Sequence, residues 1–187
     1  MKSTGKRILL GSYLVVVVFL TSCRQPVINP SASGDTADAE TLQQELEDAN
    51  KALNEREEKI INQYIKRHDL ELTVSPTGLR YTVYRPGKGA AARTGDLVKF
   101  TYAVSLINGV QLESSAEGAV SELILEKGEA ISGLHELLGK MNKGAKARAI
   151  IPSHLAYGFS GEQGRIPKGA TLIYDIEVLE IIKSESL

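Results

Sequence analysis

Three spacings of hydrophobic residues divide this 187-residue chain. From Ile8 to Leu20 nearly every position is apolar, with Val15–Val18 at the centre. Further on, Leu42, Leu46, Ala49 and Leu53 recur three or four residues apart, and after the charged interval Glu55–Lys59 come Ile60, Ile61, Tyr64 and Ile65. That period predicts a helix over about Thr36–Lys66, capped by Asp35 or Thr36. From Leu79 onward the period drops to two, which predicts strands. Leu79, Tyr81 and Val83 share one face of the first. Val98, Phe100, Tyr102 and Val104 share a face of Leu97–Leu106, and Leu172, Tyr174, Ile176 and Val178 a face of Thr171–Ile182.

Turn residues set the limits of these runs. Pro76-Thr77-Gly78, Pro86–Gly89, Gly95-Asp96 and Asn142-Lys143-Gly144 end or begin strands, and Asn108-Gly109 predicts a two-residue hairpin because both residues tolerate positive φ. Val110–Glu113, Val120–Leu125 and Lys146–Pro152 read as further strand segments. Ala130–Gly139 reads as a short helix with Ile131, Leu134, Leu137 and Leu138 inward, and Gly158–Gly169 as a long loop. The result is an α+β domain, a five-stranded antiparallel sheet curled around a short helix and preceded by an N-terminal helix.

The first apolar run follows Lys2, Lys6 and Arg7 and is shorter than the roughly 20 residues a membrane span needs. It ends at Leu20-Thr21-Ser22-Cys23, which resembles the bacterial lipobox. Residues 1–22 are then a signal peptide, and lipidated Cys23 anchors the mature chain in a bacterial membrane. Arg24, where Asp would mark retention in the inner membrane, favours the outer membrane of the envelope. Residues 23–35, with Pro26, Pro30 and Gly34, read as a flexible tether, 36–75 as a helical segment and 76–187 as the domain. The apolar stripe of the helix is narrow. It fits a spacer, docking on its own domain, or a homodimer with a second copy.

Charge and composition remove several functions. Taking Lys2, Lys6 and Arg7 from the 22 basic residues leaves 19 against 23 acidic ones, so no basic footprint for nucleic acid exists. One cysteine excludes an internal disulfide. His135 and His154 stand alone, with no nucleophile–base pair, no G-x-S-x-G and no metal-ligand spacing, so neither metal nor cofactor is expected. Tyr102, Leu112, Ile131, Leu134, Tyr157 and Tyr174 remain, either as ordinary core or as an apolar cleft rimmed by phenols.

Leu79–Ile182 resembles the FKBP-type peptidyl-prolyl isomerases. The matching pieces are Gly95-Asp96-x-Val98 with Tyr102, Asn108-Gly109 followed by Glu113-Ser114-Ser115, Ile131-x-Gly133-Leu134, and Met141-x-x-Gly144. Ile151-Pro152-x-x-Leu155-Ala156-Tyr157-Gly158 and Ile166-Pro167-x-x-Ala170-Thr171-Leu172-Ile173-Tyr174-Asp175 complete them. Some lipoproteins of gliding bacteria are similar. The resemblance implies isomerisation of X–Pro bonds in exported, proline-containing polypeptides, without a covalent intermediate. Tyr102, Tyr157, Tyr174 and Glu113 would carry catalysis, with Tyr157 donating to a substrate carbonyl. Leu112, Leu123, Ala130, Ile131, Leu134 and Ile166 would line the substrate pocket. The sequence departs from the family pattern at Leu134 for Trp, Leu112 for Phe, Glu113 for Asp, Tyr174 for Phe, Ser121 for Phe, and in the charge Arg165 brings beside Ile166. Those departures keep open a chaperone or assembly module that binds without turnover.

Overall fold

The computed structural model describes residues 35–115 and 119–186. Cys23 and the expected signal peptide lie outside the described residues, as does the expected tether apart from Asp35, which begins the first helix. Residues 43–187 form one compact unit.

The predicted long helix is α1, Asp35–Arg67. Among the described residues seven strands follow in chain order: β1 Thr73–Val74, β2 Arg80–Arg85, β3 Leu97–Leu106, β4 Gln111–Ser114, β5 Ser121–Ile124, β6 Lys146–Ile151 and β7 Leu172–Ile182. The short helix α2, Ser132–Gly139, lies between β5 and β6. All pairings are antiparallel, in the order β1-β2-β6-β7-β3-β4. β5 also pairs with β3, at Leu97–Phe100, while β4 pairs with Ala103–Ser105. These two therefore form one interrupted edge. Five strand positions result, with the two-residue β1 added outside β2.

The in-phase residues bury as their spacing requires. Val98, Phe100, Val104, Leu172, Tyr174, Ile176 and Val178 join Leu134, Leu137 and Leu138 of α2 in one core. Gly133 allows this close packing, since a Cβ there would lie 2.4 Å from Ile151 Cγ2. The hairpin differs from expectation. Gly109 takes a positive φ of 92° and Asn108 does not. Gly109 N donates to Leu106 O (2.8 Å), Leu106 N donates to Val110 O (2.9 Å), and Asn108 Oδ1 accepts from Val110 N, which makes a three-residue loop.

The opposite face of the sheet is also covered. Ile61 of α1, Ile150 of β6 and Ile173 of β7 form a second buried cluster, flanked by Tyr64, Ile65, Leu70, Leu72 and Ile107. Adjacent apolar residues such as Ile150-Ile151 and Leu172-Ile173 require cover on both faces. The helix is clamped by charge as well. Both carboxylate oxygens of Glu58 accept from Nη2 of the buried Arg80 (2.7 and 2.6 Å), whose Nη1 donates to Gly78 O (2.9 Å). Glu57 accepts from Ser153 N (2.7 Å), Ser153 Oγ (2.9 Å) and Thr171 Oγ1 (2.6 Å). Leu42, Leu46, Leu53 and Ile60 stay exposed.

Candidate active site

Tyr102 sits on the core face of β3, beyond Phe100, where the packing thins and the ring is half-buried. Its N–H donates to Ser115 Oγ and its carbonyl accepts from Ser115 N, which fixes the end of β4 beside it. In β4 the register shifts: Val104 pairs with Glu113 and Ser105 with Gln111, so Leu112 is an extra residue. This bulge breaks strict alternation. Leu112 packs against the core, and its neighbour Glu113 still reaches the Tyr102 hydroxyl, which donates to Glu113 Oε1 at 2.7 Å.

Tyr174 lies across from Val104 on β7, and its ring centroid is 5.9 Å from that of Tyr102. Tyr157 follows a 3₁₀ turn at Ser153–Leu155, the turn that Glu57 holds. Leu134 and Ile166 are buried in the same core, and Ile131, half-buried at the start of α2, packs on it. Ala130 is exposed just ahead of Ile131. Leu123 is not brought to the tyrosines. It pairs with Val98, four residues along β3 from Tyr102 or roughly 13 Å at ordinary strand rise, and belongs to the deeper core.

The electrostatics keep the phenols neutral. Burial and then the Glu113 hydrogen bond push Tyr102 up to about 12. Burial raises Tyr174, with Tyr157 and Tyr102 adding to it. Tyr157 is raised by burial and then by Glu162. Glu113 is held below the usual carboxylate range by the bonds from Tyr102 and Arg165. Near neutral pH the site therefore offers hydroxyl donors over an apolar floor and no group poised as a base. Among the described residues neither the Tyr157 nor the Tyr174 hydroxyl bonds to another protein group, and no His/Cys/Asp/Glu cluster fit for a metal occurs. His135 is structural: Nδ1 accepts from Glu126 N, so Nε2 donates to Gly128 O.

Comparison with known proteins bears on this arrangement. A sequence profile of the FKBP-type peptidyl-prolyl cis-trans isomerases matches residues 88–179, which contain the three tyrosines. The crystal structure of FkpA from Escherichia coli superposes with a TM-score of 0.62 at 30% identity, covering 80% of this chain and 70% of that one. This chain belongs to the FKBP family. A probable FKBP-type isomerase of Haemophilus influenzae is 36% identical over 132 residues, 70% of this chain and 53% of that protein. Human FKBP9 is 36% identical over 98 residues, 52% of this chain. The chain spans only 17% of FKBP9's length and about half of the Haemophilus protein's.

Sequence reasoning did not find Glu57 and Glu58. Both fall in the charged interval that interrupts the apolar period, and their function depends on partners about 22 to 114 residues away. Arg165 stood out as a charge beside Ile166, but its partner Glu113 could be seen only once the loop was placed.

Proposed function

We propose that the cleft formed by Tyr102, Tyr157 and Tyr174 isomerises X–Pro bonds. Rotation about this bond is opposed by about 18–20 kcal/mol of lost amide resonance. The twisted amide is less polar than the planar one, so an apolar floor of Leu134, Ile166 and Tyr174 favours it. Binding the twisted form better than either planar isomer lowers the barrier without covalent chemistry. The observation that carries this reading is the convergence of three neutral tyrosines on that floor, with the Tyr157 hydroxyl free of protein partners among the described residues. Substrates are proline-containing segments of unfolded or extended polypeptides. The test is a prolyl-peptide isomerisation assay on residues 35–187 shown to be folded. Acceleration above the spontaneous rate is expected, and its absence would overturn the reading.

The envelope setting belongs to the same proposal. Cys23 after the apolar leader supports a lipid-anchored protein of the outer membrane that assists exported chains, in the manner of the similar lipoproteins of gliding bacteria. No described helix is long and apolar enough to cross a membrane. Mass analysis of the mature N-terminus should find acylated Cys23, and an unmodified cysteine would reject the anchor. The exposed Leu46 and Leu53 on α1 support pairing of two copies, which sedimentation over a concentration series would reveal.

A second reading is favoured by one feature. A groove of about 730 Å³ runs between α1 and the outer side of the 158–169 loop, with Leu53, Ile60, Ile107 and Phe159 in its lining. It suits a module that holds unfolded chains, and undiminished protection of a client from aggregation by a Tyr157→Phe variant of reduced turnover would support that role.

A further inference from the structure

Arg165 is the one departure from the family pattern that adds a charge at the cleft. Its Nη2 donates to Glu113 Oε2 at 2.6 Å, while Glu113 Oε1 accepts from the Tyr102 hydroxyl. Its Nη1 lies 3.5 Å from Glu162 Oε1, and the other Glu162 oxygen is buried without a hydrogen-bond partner among the described residues. One polar chain thus runs from β3 through β4 to the loop on the opposite side of the cleft.

The rest of the loop is tied to itself. Glu162 and Ile166 exchange both backbone bonds at 2.9 Å, Gly161 N donates to Tyr157 O, and Gly169 N donates to Gly158 O. Among the described residues, the pair Arg165–Glu113 is the single hydrogen bond or ion pair from residues 159–168 to another strand or helix. Ile166, buried at 8% exposure, is the apolar counterpart beside it. The loop carries one wall of the cleft, Ile166, and begins next to the free hydroxyl of Tyr157.

We propose that Arg165 is a positioning and specificity-determining residue. It struts the loop across the cleft, and it sets the charge preference for the side chains flanking the substrate proline. The inference rests on the isomerase reading for its second part. The rim holds two carboxylates, Glu113 and Glu162, and Arg165 is the cation between them. An acidic side chain beside the proline meets Arg165, and a basic one meets the carboxylates. Removing the guanidinium takes the cation from both carboxylates, leaving Glu113 only its bond from the Tyr102 hydroxyl, and disfavours acidic substrates selectively. Both sides of the ion pair are about half exposed (56% and 46%), so the strut is weak, salt-sensitive and exchangeable with a substrate charge.

The experiment compares wild type, Arg165→Gln and Arg165→Lys on two peptides that differ only in Glu or Lys before proline. Arg165→Gln should raise the Lys-to-Glu ratio of kcat/KM by about two- to fivefold at low salt. The change should shrink in high salt, and Arg165→Lys should restore most of the wild-type ratio. A loss equal for both peptides would reduce Arg165 to general stability and overturn the specificity role. Amide hydrogen exchange at Glu162 and Ile166, read in the protein without substrate, tests the strut independently of turnover. Arg165→Gln should speed exchange there and leave the β3–β7 amides unchanged; unaltered exchange in the loop would overturn the strut. A wild-type protein without isomerase activity would overturn the isomerase reading and the specificity role with it, and the exchange data would still decide the strut.

Discussion

The three tyrosines of the cleft are chemically the same residue with different tasks, set by what each hydroxyl already holds. Tyr102 has committed its hydrogen to Glu113, and Tyr174 is 7% exposed and serves mainly as floor. Tyr157 is half-buried, unpaired among the described residues and on the loop side, so in the proposed mechanism its hydroxyl is the donor to an incoming carbonyl. Replacing Tyr157 with Phe deletes that donor and keeps the ring. A neutral hydrogen bond contributes about 0.5–1.5 kcal/mol, so kcat/KM should fall about three- to tenfold while the unfolding midpoint barely moves. Progress curves on a prolyl peptide check the first part and thermal unfolding the second; an unchanged rate would remove Tyr157 from the mechanism. The positions of Tyr102 and Tyr174 were legible because strand alternation places them on the core face. The Tyr102–Glu113 bond was not, because strict alternation gives Leu112 and Glu113 opposite faces, and only the bulge at Leu112 lets both act on the core side.

At the scale of elements, the informative case is α1. Its regular period predicted the helix well, within a residue at each end, but left the use of its stripe open between spacer, docking and pairing. Leu42, Leu46 and Leu53 are exposed, and docking uses only the later part of the stripe, Ile61 with Tyr64 and Ile65, together with two glutamates from the charged interval. A helix can dock through carboxylates when the receiving surface offers buried donors, and no period in the helix's own sequence records that. The signal lay elsewhere, in the consecutive apolar residues of β6 and β7, which demand cover on both faces. Glu57 connects this docking to the cleft, because the turn it holds at Ser153 leads directly to Tyr157. Glu57→Ala strands the Ser153 and Thr171 donors, both on residues 4% exposed. The expected cost is about 2 kcal/mol, or roughly 4–8 °C in Tm for a chain of this size. Turnover should fall as well, since the turn loses its support. Thermal unfolding of wild type and variant measures the first effect, and an unmoved Tm would show that Glu57 does not hold the helix.

At the scale of the whole molecule, the sheet is closed at one end by a single carboxylate. Asp96, 2% exposed ahead of β3, accepts from Arg93 N at 2.8 Å, Lys183 Nζ at 2.9 Å and Ser184 N at 3.0 Å. It thereby fastens the start of β3 to the residues that follow β7, the strand β3 pairs with along its whole length. The Lys183 bond, then the Arg93 amide, hold its carboxyl at about 2, below the ordinary 3.8. A carboxyl depressed by folding contributes stability that is fully present above its unfolded pKa and is lost as pH falls through the folded one. Here that window runs from about pH 4 down to about pH 2. Glu113 and Glu177 are also lowered, the latter chiefly by Lys146, so they add to the slope in the acid range. The protein should therefore lose stability steadily on acidification through this window, with Asp96 a main contributor. Asp96→Asn should lower Tm at neutral pH and flatten the decline below pH 4, because the variant has no proton to take up there. Thermal unfolding of both proteins from pH 7 to pH 2 makes the comparison, and parallel Tm curves for the two would show that this carboxylate does not couple folding to pH.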